Sequence, residues 1–401
     1  MVAAATYRPL ITSGGGASAP IAASRIMQPM RIADFALERF FARWEFSVRH
    51  LLCASDVEGY PMSDLLDLAD EETGALWADL RLGYTESAGH PLLRAEIAEL
   101  YQHVDPDGVL VFAGAEEAIF CLLNVAVGPG DHVVVTWPGY QSLHEVARAA
   151  GGVVTLHELH EQDGWRLDVE RLIRALRPDT RLVVVNAPHN PTGMQPTHAE
   201  WARLTDELAD RRIPLLSDEV YRFLEHDERD RLLPGTDAYG QGISLGVMSK
   251  SFAMAGLRIG WLATRDRDLL DRCARFKDYT TICSSAPSEV LALMALRARE
   301  QVLGRSLRIV QDNLEVLDGF FRRRTDVSWV RPRAGPVGYP RLTLDTSIDD
   351  LTTELIEAEG VLLLPGSQLG HAGNHFRLGF GRADLPEALA RFEAFLDRRA
   401  G

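Results

Sequence analysis

Seven short apolar runs alternate with helical stretches between about residue 75 and residue 285. The runs are VLVF (109–112), HVVVT (132–136), GVVTL (152–156), RLVVVN (181–186), IPLLS (213–217), ISLGVM (243–248) and IGWLA (259–263). Several are apolar at every position, which is typical of strands covered by helices on both faces. Amphipathic segments such as 115–127, 141–150 and 198–212 separate them. The alternation predicts an α/β fold whose large, mostly parallel sheet is flanked by helices.

Both ends of the sequence contribute to a second, smaller α/β region. IADFALERFFARWEF (32–46) has apolar residues at helical spacing and predicts an amphipathic helix. We expect this helix to pack on the C-terminal part, because it has no partner of its own. A long helical stretch runs from about residue 285 through Arg324 and precedes strands near YPRLTL and VLLLP. A last helix is predicted from about residue 385.

These patterns predict four parts of the chain. They are a leader (1–29), an N-terminal part of the small domain (30–70), a large domain (71–285) and the C-terminal small domain (286–401). The leader is rich in Gly, Ala and Ser and contains Pro9 and Pro20. It lacks the basic start and unbroken apolar stretch of a signal peptide, so we predict that it is disordered.

Charge and cysteine content exclude several classes of partner. With 42 basic and 57 acidic residues the formal charge is −15 at pH 7, which argues against nucleic acids and anionic membranes as partners. No apolar run approaches the roughly 18 residues of a membrane span. The four cysteines show no CxxC or paired spacing, so we expect neither disulfides nor a metal site. We predict a cytoplasmic protein.

Only two of the 42 basic residues are lysines, Lys250 and Lys277. A primary amine can form a Schiff base or act as a base, whereas a guanidinium stays charged. Lys250, in VMSKSFAMAGLRIGW, follows a predicted buried strand, where α/β sheets bind ligands; the alternative is a solvated loop lysine. Lys277, at a helix end, suits the helix dipole without any catalytic role.

Four further segments place polar groups or rings directly after predicted strands. They are GAEEAI (114–119), TWPGY (136–140), NAPHNPTG (186–193) and SDEVYRF (217–223). The first begins a helix at Gly114, where free N–H groups favour a phosphate. The others supply the ring of Tyr140, the amide of Asn190 and the pair Asp218 and Tyr221. Pyridoxal 5′-phosphate, an aldehyde with a pyridine nitrogen, a phenolic oxygen and a phosphate, uses all of these groups together.

In this order the segments resemble the fold type I, class I/II aminotransferase family of pyridoxal-phosphate enzymes, from about Ala33 to the C-terminus. The resemblance implies an aspartate-aminotransferase-like fold. It also implies that Lys250 forms the internal aldimine and moves the Cα proton, and that Asp218 pairs with the pyridine nitrogen. Asn190 and Tyr221 would bond the phenolic oxygen. The remaining implied cofactor contacts are a ring stacked on Tyr140 and a phosphate bound by Gly114, Ala115, Glu116, Ser249 and Arg258.

The same resemblance implies how a substrate and a partner subunit take part. Arg377, in HFRLGFGR, matches the arginine that binds the substrate α-carboxylate, with Asn190 beside it. Tyr84 resembles the tyrosine that reaches the partner subunit's phosphate, so a homodimer with shared active sites is expected. One departure is Val247, where the family commonly has Ser or Thr as a phosphate ligand.

Near the N-terminus the family often has a glycine-containing segment through which the substrate enters. The resemblance places this access segment at LLCASDVEGYP (51–61), which keeps Gly59 and adds Ser55, Asp56 and Glu58. Asp56 and Glu58 in this segment could receive a cationic substrate side chain; the alternative is a solvated acidic loop. Together with PHNPTG, the segment partly resembles the capreomycidine synthases, which cyclise an arginine derivative. This likeness is partial, because many relatives share PHNPTG.

The leading functional hypothesis is transamination of an L-amino acid to a 2-oxo acid, with a second 2-oxo acid reversing the sequence. The alternative uses the same cofactor for β- or γ-elimination, replacement or side-chain cyclisation of an amino acid. A third hypothesis, a cofactor-binding regulator without turnover, is disfavoured. Its known relatives carry an N-terminal DNA-binding domain, for which the leader is too short.

Overall fold

The computed structural model describes residues 31–400, and from Ile32 onward these residues belong to one unit. The predicted leader therefore lies outside the described residues, and the other predicted domain boundaries stay predictions. A search of the described helices finds none with the length and apolar character needed to cross a membrane.

The described residues contain fourteen α-helices and fourteen strands, numbered in chain order. The helices are α1 (Ala36–Trp44), α2 (Met62–Leu66), α3 (Glu71–Ala78), α4 (Pro91–Ala98), α5 (Ala115–Ala126), α6 (Ser142–Ala149), α7 (Val169–Ala175), α8 (His198–Arg211), α9 (Gly235–Ala238), α10 (Arg267–Lys277), α11 (Ala286–Arg297), α12 (Arg299–Arg323), α13 (Ile348–Glu359) and α14 (Leu385–Ala400). The strands are β1 (His50–Leu51), β2 (Val109–Phe112), β3 (His132–Trp137), β4 (Val153–Glu158), β5 (Thr180–Asn186), β6 (Leu215–Asp218), β7 (Gly242–Val247), β8 (Gly260–Thr264), β9 (Val327–Ser328), β10 (Val337–Gly338), β11 (Arg341–Leu342), β12 (Val361–Leu362), β13 (Leu364–Pro365) and β14 (Phe376–Gly379).

The central sheet has seven strands in the order β2-β8-β7-β6-β5-β3-β4. They correspond to the seven apolar runs of the sequence, and each strand end lies within two residues of its predicted position. Strands β4, β3, β5, β6 and β7 are parallel to one another, and β8 is antiparallel to both of its neighbours. The prediction of a large, mostly parallel sheet flanked by helices is confirmed.

Alternate residues of the central strands are buried on opposite faces of the sheet. On β3, Val133 and Val135 pack in the core that includes Leu122 of α5, whereas Val134 packs in the core that includes Trp201 of α8. Because helices cover both faces, every position of such a strand favours an apolar residue. The doubly covered sheet thus accounts for the continuous apolar runs.

The smaller α/β region combines strands from both ends of the chain. Strand β1 pairs in parallel with β12, β14 lies between β10 and β13, and β9 pairs with β11. Helices α12, α13 and α14 share one apolar core through Leu317, Leu351 and Phe392. The second, smaller α/β region predicted from the two ends of the sequence is therefore present.

The long helical stretch predicted after residue 285 is divided at Ala298 into α11 and α12. Helix α11 is buried on nearly every side, with residues 289–296 all inaccessible, and packs beside the central sheet. Helix α12 has a single buried stripe, and most of that stripe joins the core of the smaller region. The two helices therefore have different packing partners, and a break between them allows a change of direction.

The N-terminal helix α1 connects the smaller region with the edge of the central sheet. Leu37 packs in one core with Leu369 of the C-terminal part, as expected from the sequence. On the other side, the ring of Phe35 lies 5.2 Å from the ring of Tyr140, which follows β3. Helix α1 therefore also lies beside the carboxyl ends of the parallel strands.

Candidate active site

A cavity of about 390 Å³ lies at the carboxyl ends of the parallel strands, the usual ligand site of such sheets. Strands β5, β6 and β7 end at residues that line it. Further lining comes from the start of α5, from β14, from one face of α1 and from the access segment. The polar lining residues are Glu38, Glu45, Ser55, Asp56, Glu116, Tyr140, Asn186, Asn190, Asp218, Tyr221, Ser249, Lys250, Arg258 and Arg377.

Lys250 lies three residues after β7, and its side chain points into the cavity. Its Nζ donates to Ser55 Oγ at 2.9 Å. Burial lowers the pKa of Lys250, with a further lowering from the positive charge of Arg377, while Asp56 has the opposite effect. A buried amine of lowered pKa holds its proton less tightly and is a better nucleophile.

Asp218 is the last residue of β6 and is 4% exposed. The backbone of Val220 donates to its carboxylate at 3.3 Å. Its own carbonyl accepts from the amide nitrogen of Asn186 at 3.1 Å, which ties β5 to β6 at this edge. Burial raises the pKa of Asp218 to about 7. A cation bound opposite this carboxylate would favour its ionised form.

We expect Asp218→Asn to change how the stability of the cofactor-free protein depends on pH. Between pH 4 and 7 the unfolded chain releases the Asp218 proton while the folded chain keeps it, so this group lowers the free energy of unfolding as pH rises. The variant should match the wild type near pH 4 and exceed it at pH 8 by up to about 4 kcal/mol. Urea denaturation at both pH values measures the difference. An equal difference at both would contradict the expectation.

Arg377 on β14 is 1% exposed, and one of its guanidinium nitrogens has no hydrogen-bond partner. Its Nε donates to the carbonyl of Cys53 at 3.1 Å and its Nη1 to Asn190 Oδ1 at 3.2 Å. Nη2 is buried without a hydrogen-bond partner. An unsatisfied buried guanidinium donor is costly, so the arrangement indicates that an anionic ligand completes it.

Tyr221 and Asn190 are each held in place by a hydrogen bond, Tyr221 to a distant backbone carbonyl and Asn190 to a nearby side chain. The Tyr221 hydroxyl donates to the carbonyl of Ser55 at 2.8 Å, and burial raises the pKa of this hydroxyl. The backbone of Asn190 donates to Asn186 Oδ1 at 2.6 Å. These contacts fix a phenol and an amide in the lining of the Lys250 cavity.

The turn before α5 and the start of β8 approach each other closely at two glycines, Gly114 and Gly260, and together form a cradle at the helix start. Gly114 has φ of 91°, and a Cβ there would lie 2.6 Å from Arg258 Nη2. A Cβ at Gly260 would lie 2.7 Å from the backbone nitrogen of Ala115. The first N–H groups of α5 have no partners within the helix, and Arg258 Nη1 lies 3.4 Å from Ser249 Oγ. Such a helix start beside a guanidinium suits a phosphate.

Glu116 and Tyr140 line the cavity beside this cradle. Glu116 accepts from Ser142 Oγ at 2.6 Å through one oxygen, and its other oxygen is buried without a partner. Burial raises the pKa of both Glu116 and Tyr140. The protonated, uncharged form of Glu116 is the one more compatible with a bound phosphate.

The lining therefore fits pyridoxal 5′-phosphate in its chemistry. It presents a primary amine, a buried carboxylate, two hydrogen-bonding groups for a phenolic oxygen, an aromatic ring and a phosphate cradle. Val247, which replaces the expected Ser or Thr, lines the cavity without offering a donor, and the hydroxyl of Ser249 lies beside Arg258 instead. Among residues 31–400 no group of three or more His, Cys, Asp and Glu side chains could hold a metal ion.

Two predicted substrate-binding residues, Asp56 and Glu58, are not free to bind a ligand in this cavity, and Tyr84, predicted to reach the partner subunit's phosphate, lies outside the lining. Tyr84 is 91% exposed and lies beside a separate hollow that includes Glu289. Glu58 is outside the lining and accepts from the backbone of Ala383 at 2.8 Å. Asp56 lines the cavity, but both of its oxygens lie 3.0 Å from Arg382 Nη2. The acidic access segment thus contributes one carboxylate, which is already paired.

Several lining residues were missed by the sequence analysis, among them Ser55 and three residues of the α1 region. Ser55 contacts Lys250 across 195 positions of sequence, a distance at which periodicity carries no information. Glu38, Phe41 and Glu45 of the α1 region also line the cavity. Their spacing of three and four residues places them on one helical face, and this is the signal that could have identified them.

Comparison with known proteins gives relatives that match nearly the whole chain. The sequence profile of the family described as aminotransferase class I and II matches residues 52–392. Capreomycidine synthase of Streptomyces vinaceus is 30% identical over 93% of this chain and 96% of its own. The aspartate/prephenate aminotransferase of Thermus thermophilus is 30% identical over 85% of this chain and 90% of its own.

Solved structures show the same two kinds of relative. A PLP-dependent aminotransferase from Streptococcus suis has a TM-score of 0.87 and 28% identity, covering 92% of this chain and 99% of its own. The PLP-dependent cyclase OrfR has a TM-score of 0.84 and 29% identity, covering 93% of this chain and 100% of its own. The predicted aspartate-aminotransferase-like fold and the predicted cofactor, pyridoxal 5′-phosphate, are confirmed.

Proposed function

The chain belongs to the class I and II aminotransferase family of pyridoxal-phosphate enzymes, and from that premise we propose that it converts an L-amino acid to a 2-oxo acid by transamination. The observation that carries the proposal is that Lys250 and Arg377 line one cavity, with Arg377 Nη2 buried and unpartnered. A guanidinium in that state suits the α-carboxylate of an amino acid. The amine of Lys250 then lies in the cavity where the Cα–H bond must break.

The roles of the chain's own groups follow from their positions. When bound, the cofactor supplies an aldehyde for condensation with amines and accepts the electron pair left at Cα. Arg377 orients the substrate through its α-carboxylate. Lys250 Nζ accepts the proton from Cα and later returns it, which its lowered pKa favours. Asp218 holds a positive charge at the ring nitrogen.

The other lining residues would position the cofactor relative to Lys250, Asp218 and Arg377. Asn190 would donate a hydrogen bond to the phenolic oxygen, Tyr221 would do so by turning its hydroxyl from the Ser55 carbonyl, and Tyr140 would cover the ring. The backbone of Gly114, Ala115 and Glu116, together with Ser249 and Arg258, would bind the phosphate. Fixed donors of this kind position the reacting atoms without reorganisation during the reaction.

A second candidate reaction uses the same groups to cyclise the side chain of an amino acid, or to eliminate or replace a substituent on it. The observation that favours it is the similarity to capreomycidine synthase and to the cyclase OrfR along almost the whole chain. Both reactions begin with the loss of the Cα proton to Lys250. The two reactions differ in which atom receives the electron pair left at Cα. The geometry of the cavity is therefore compatible with either reaction.

Product counting separates the two reactions. With a single amino acid and no added 2-oxo acid, we expect transamination to stop after one 2-oxo acid per active site, because the amino group stays on the enzyme. Addition of a 2-oxo acid should restore continuous turnover. Mass spectrometry of the products against active-site concentration measures the ratio. Continuous formation of a cyclised or eliminated product without an acceptor would instead establish the second reaction.

We also propose a homodimer with shared active sites. Large apolar side chains are exposed in two segments that hydrogen bonds join, at Leu82 and Tyr84 before α4 and at Tyr279 and Ile282 between α10 and α11. Exposed apolar surface of this kind marks association sites. Tyr84 lies on this surface, in a position from which a second copy could receive it.

A cytoplasmic location is part of the same proposal. The four cysteines are all unpaired, and Cys53, Cys121 and Cys273 are buried. Free thiols in this number suit a reducing compartment.

A further inference from the structure

Two carboxylates on one face of the α1 region line the active-site cavity without a cationic partner. Glu38 and Glu45 are seven residues apart, which is two helical turns, so both side chains lie on the same side of the helix. Among residues 31–400 neither forms a hydrogen bond or ion pair through its side chain. Both belong to the segment that closes one side of the cavity.

This face of α1 adjoins the place where the substrate α-carboxylate is expected. The guanidinium carbon of Arg377 lies 5.8 Å from the centre of the Phe41 ring. Phe41 follows Glu38 by three residues and precedes Glu45 by four, so the backbone positions of the two glutamates lie roughly 4.5 Å and 6 Å along the helix on either side of Phe41. A substrate side chain leaving this place along α1 meets a carboxylate in either direction.

The charges of the cavity lining favour a cationic side chain over an acidic one. Its cationic residues in the described chain are Lys250, Arg258 and Arg377, and the proposed function uses all three. A second substrate carboxylate would therefore find no free partner there. Burial and the neighbouring charges of Asp56 and Glu38 raise the pKa of Glu45, and a cation between these groups would relieve that repulsion.

Resting on the proposed function, we propose that Glu38 and Glu45 bind the positively charged end group, an ammonium or a guanidinium, of the substrate's side chain. The substrate class is thus an L-amino acid with a cationic side chain. Asp56 does not serve this purpose, because it already forms an ion pair with Arg382. Arg377 Nη2, buried and unpartnered in the same cavity, fixes the other end of the ligand.

Calorimetric binding to the holoenzyme tests the proposal without turnover. α-Methyl amino acids lack the Cα proton, so they bind without reacting further. We expect α-methylornithine or α-methylarginine to bind about tenfold more tightly than α-methylnorleucine, and α-methylaspartate to bind most weakly. Comparison of the first two ligands tells an ammonium site from a guanidinium site.

The double variant Glu38→Gln, Glu45→Gln should remove this preference, lowering the affinity for the cationic ligands about tenfold and changing that for α-methylnorleucine much less. Glu357→Gln removes a charge from an exposed position on α13 and should change neither. If the double variant is unstable, the two single variants can be used instead, after thermal melting has shown that each of them is folded. Equal binding of all side-chain classes by the wild type, or a preference that survives in the variants, overturns this inference alone. Failure of every amino acid to bind overturns the proposed function as well.

Discussion

Lys250→Ala should abolish amino-acid turnover, with a loss of roughly 10⁴-fold or more. In the proposed function this residue supplies both the amine that holds the cofactor and the group that moves the Cα proton, and each contribution is large on its own. The absorbance band of the lysine-bound cofactor should disappear while the far-ultraviolet circular dichroism spectrum stays unchanged. Steady-state kinetics and absorbance spectra of the purified variant measure both effects.

The scarcity of lysine gives this prediction an internal control. Borohydride reduction of the wild-type holoenzyme attaches the cofactor covalently to its lysine, and Lys250 and Lys277 are the two candidates. Lys277 is fully buried and donates to the carbonyl of Ser87 at 2.5 Å. Peptide mass spectrometry should find the label on Lys250. A label on Lys277, or a Lys250→Ala protein that keeps its band and its turnover, would remove the basis of the proposed function.

Arg377→Met should weaken amino-acid binding roughly a hundredfold or more while the cofactor band remains. Truncation of one partner in a buried, hydrogen-bonded charge pair costs about 2–5 kcal/mol. Arg377→Lys keeps the charge but loses the planar fork, so we expect it to recover only part of the affinity. The KM for a neutral amino acid and the absorbance of the holoenzyme are the measurements.

A comparison of two ligands distinguishes a binding role of Arg377 from a purely structural one. If the residue binds the α-carboxylate, the wild type should prefer norleucine over pentylamine, and the Met variant should lose that preference. Loss of folding alone would lower the affinity for norleucine and for pentylamine equally. Arg341→Met is a matched control, because Arg341 is an exposed arginine on β11 paired with Glu161. An unchanged preference in Arg377→Met would exclude the proposed role.

The central part of the site was predictable because parallel strands end at one edge. Asn190, Asp218 and Lys250 each follow an apolar run, and the parallel order of β5, β6 and β7 brings them to one cavity. The alternation of strands and helices therefore carries information about the site as well as about the fold. Arg377 required more than this pattern, since it was identified through a family resemblance.

The α1 wall of the cavity could not be predicted in the same way. Its position depends on the packing of Leu37 against Leu369, more than 300 residues away in the sequence, and of Phe35 against Tyr140. The sequence pattern also could not predict which side chains of the access segment point into the cavity. Asp56 and Glu58 are two residues apart, yet only Asp56 lines the cavity. Such details follow from tertiary packing rather than from local periodicity.

The burial of Lys277 has a consequence for the chemical handling of this protein. With that amine inaccessible and every other basic side chain an arginine apart from Lys250, acylating reagents find no lysine on the described outer surface. Activated esters, acetyl donors and glutaraldehyde supports can then react with the α-amine and with Lys250 in the cavity. Attachment through lysine would then measure the accessibility of Lys250, and we expect prior loading with cofactor to protect this amine.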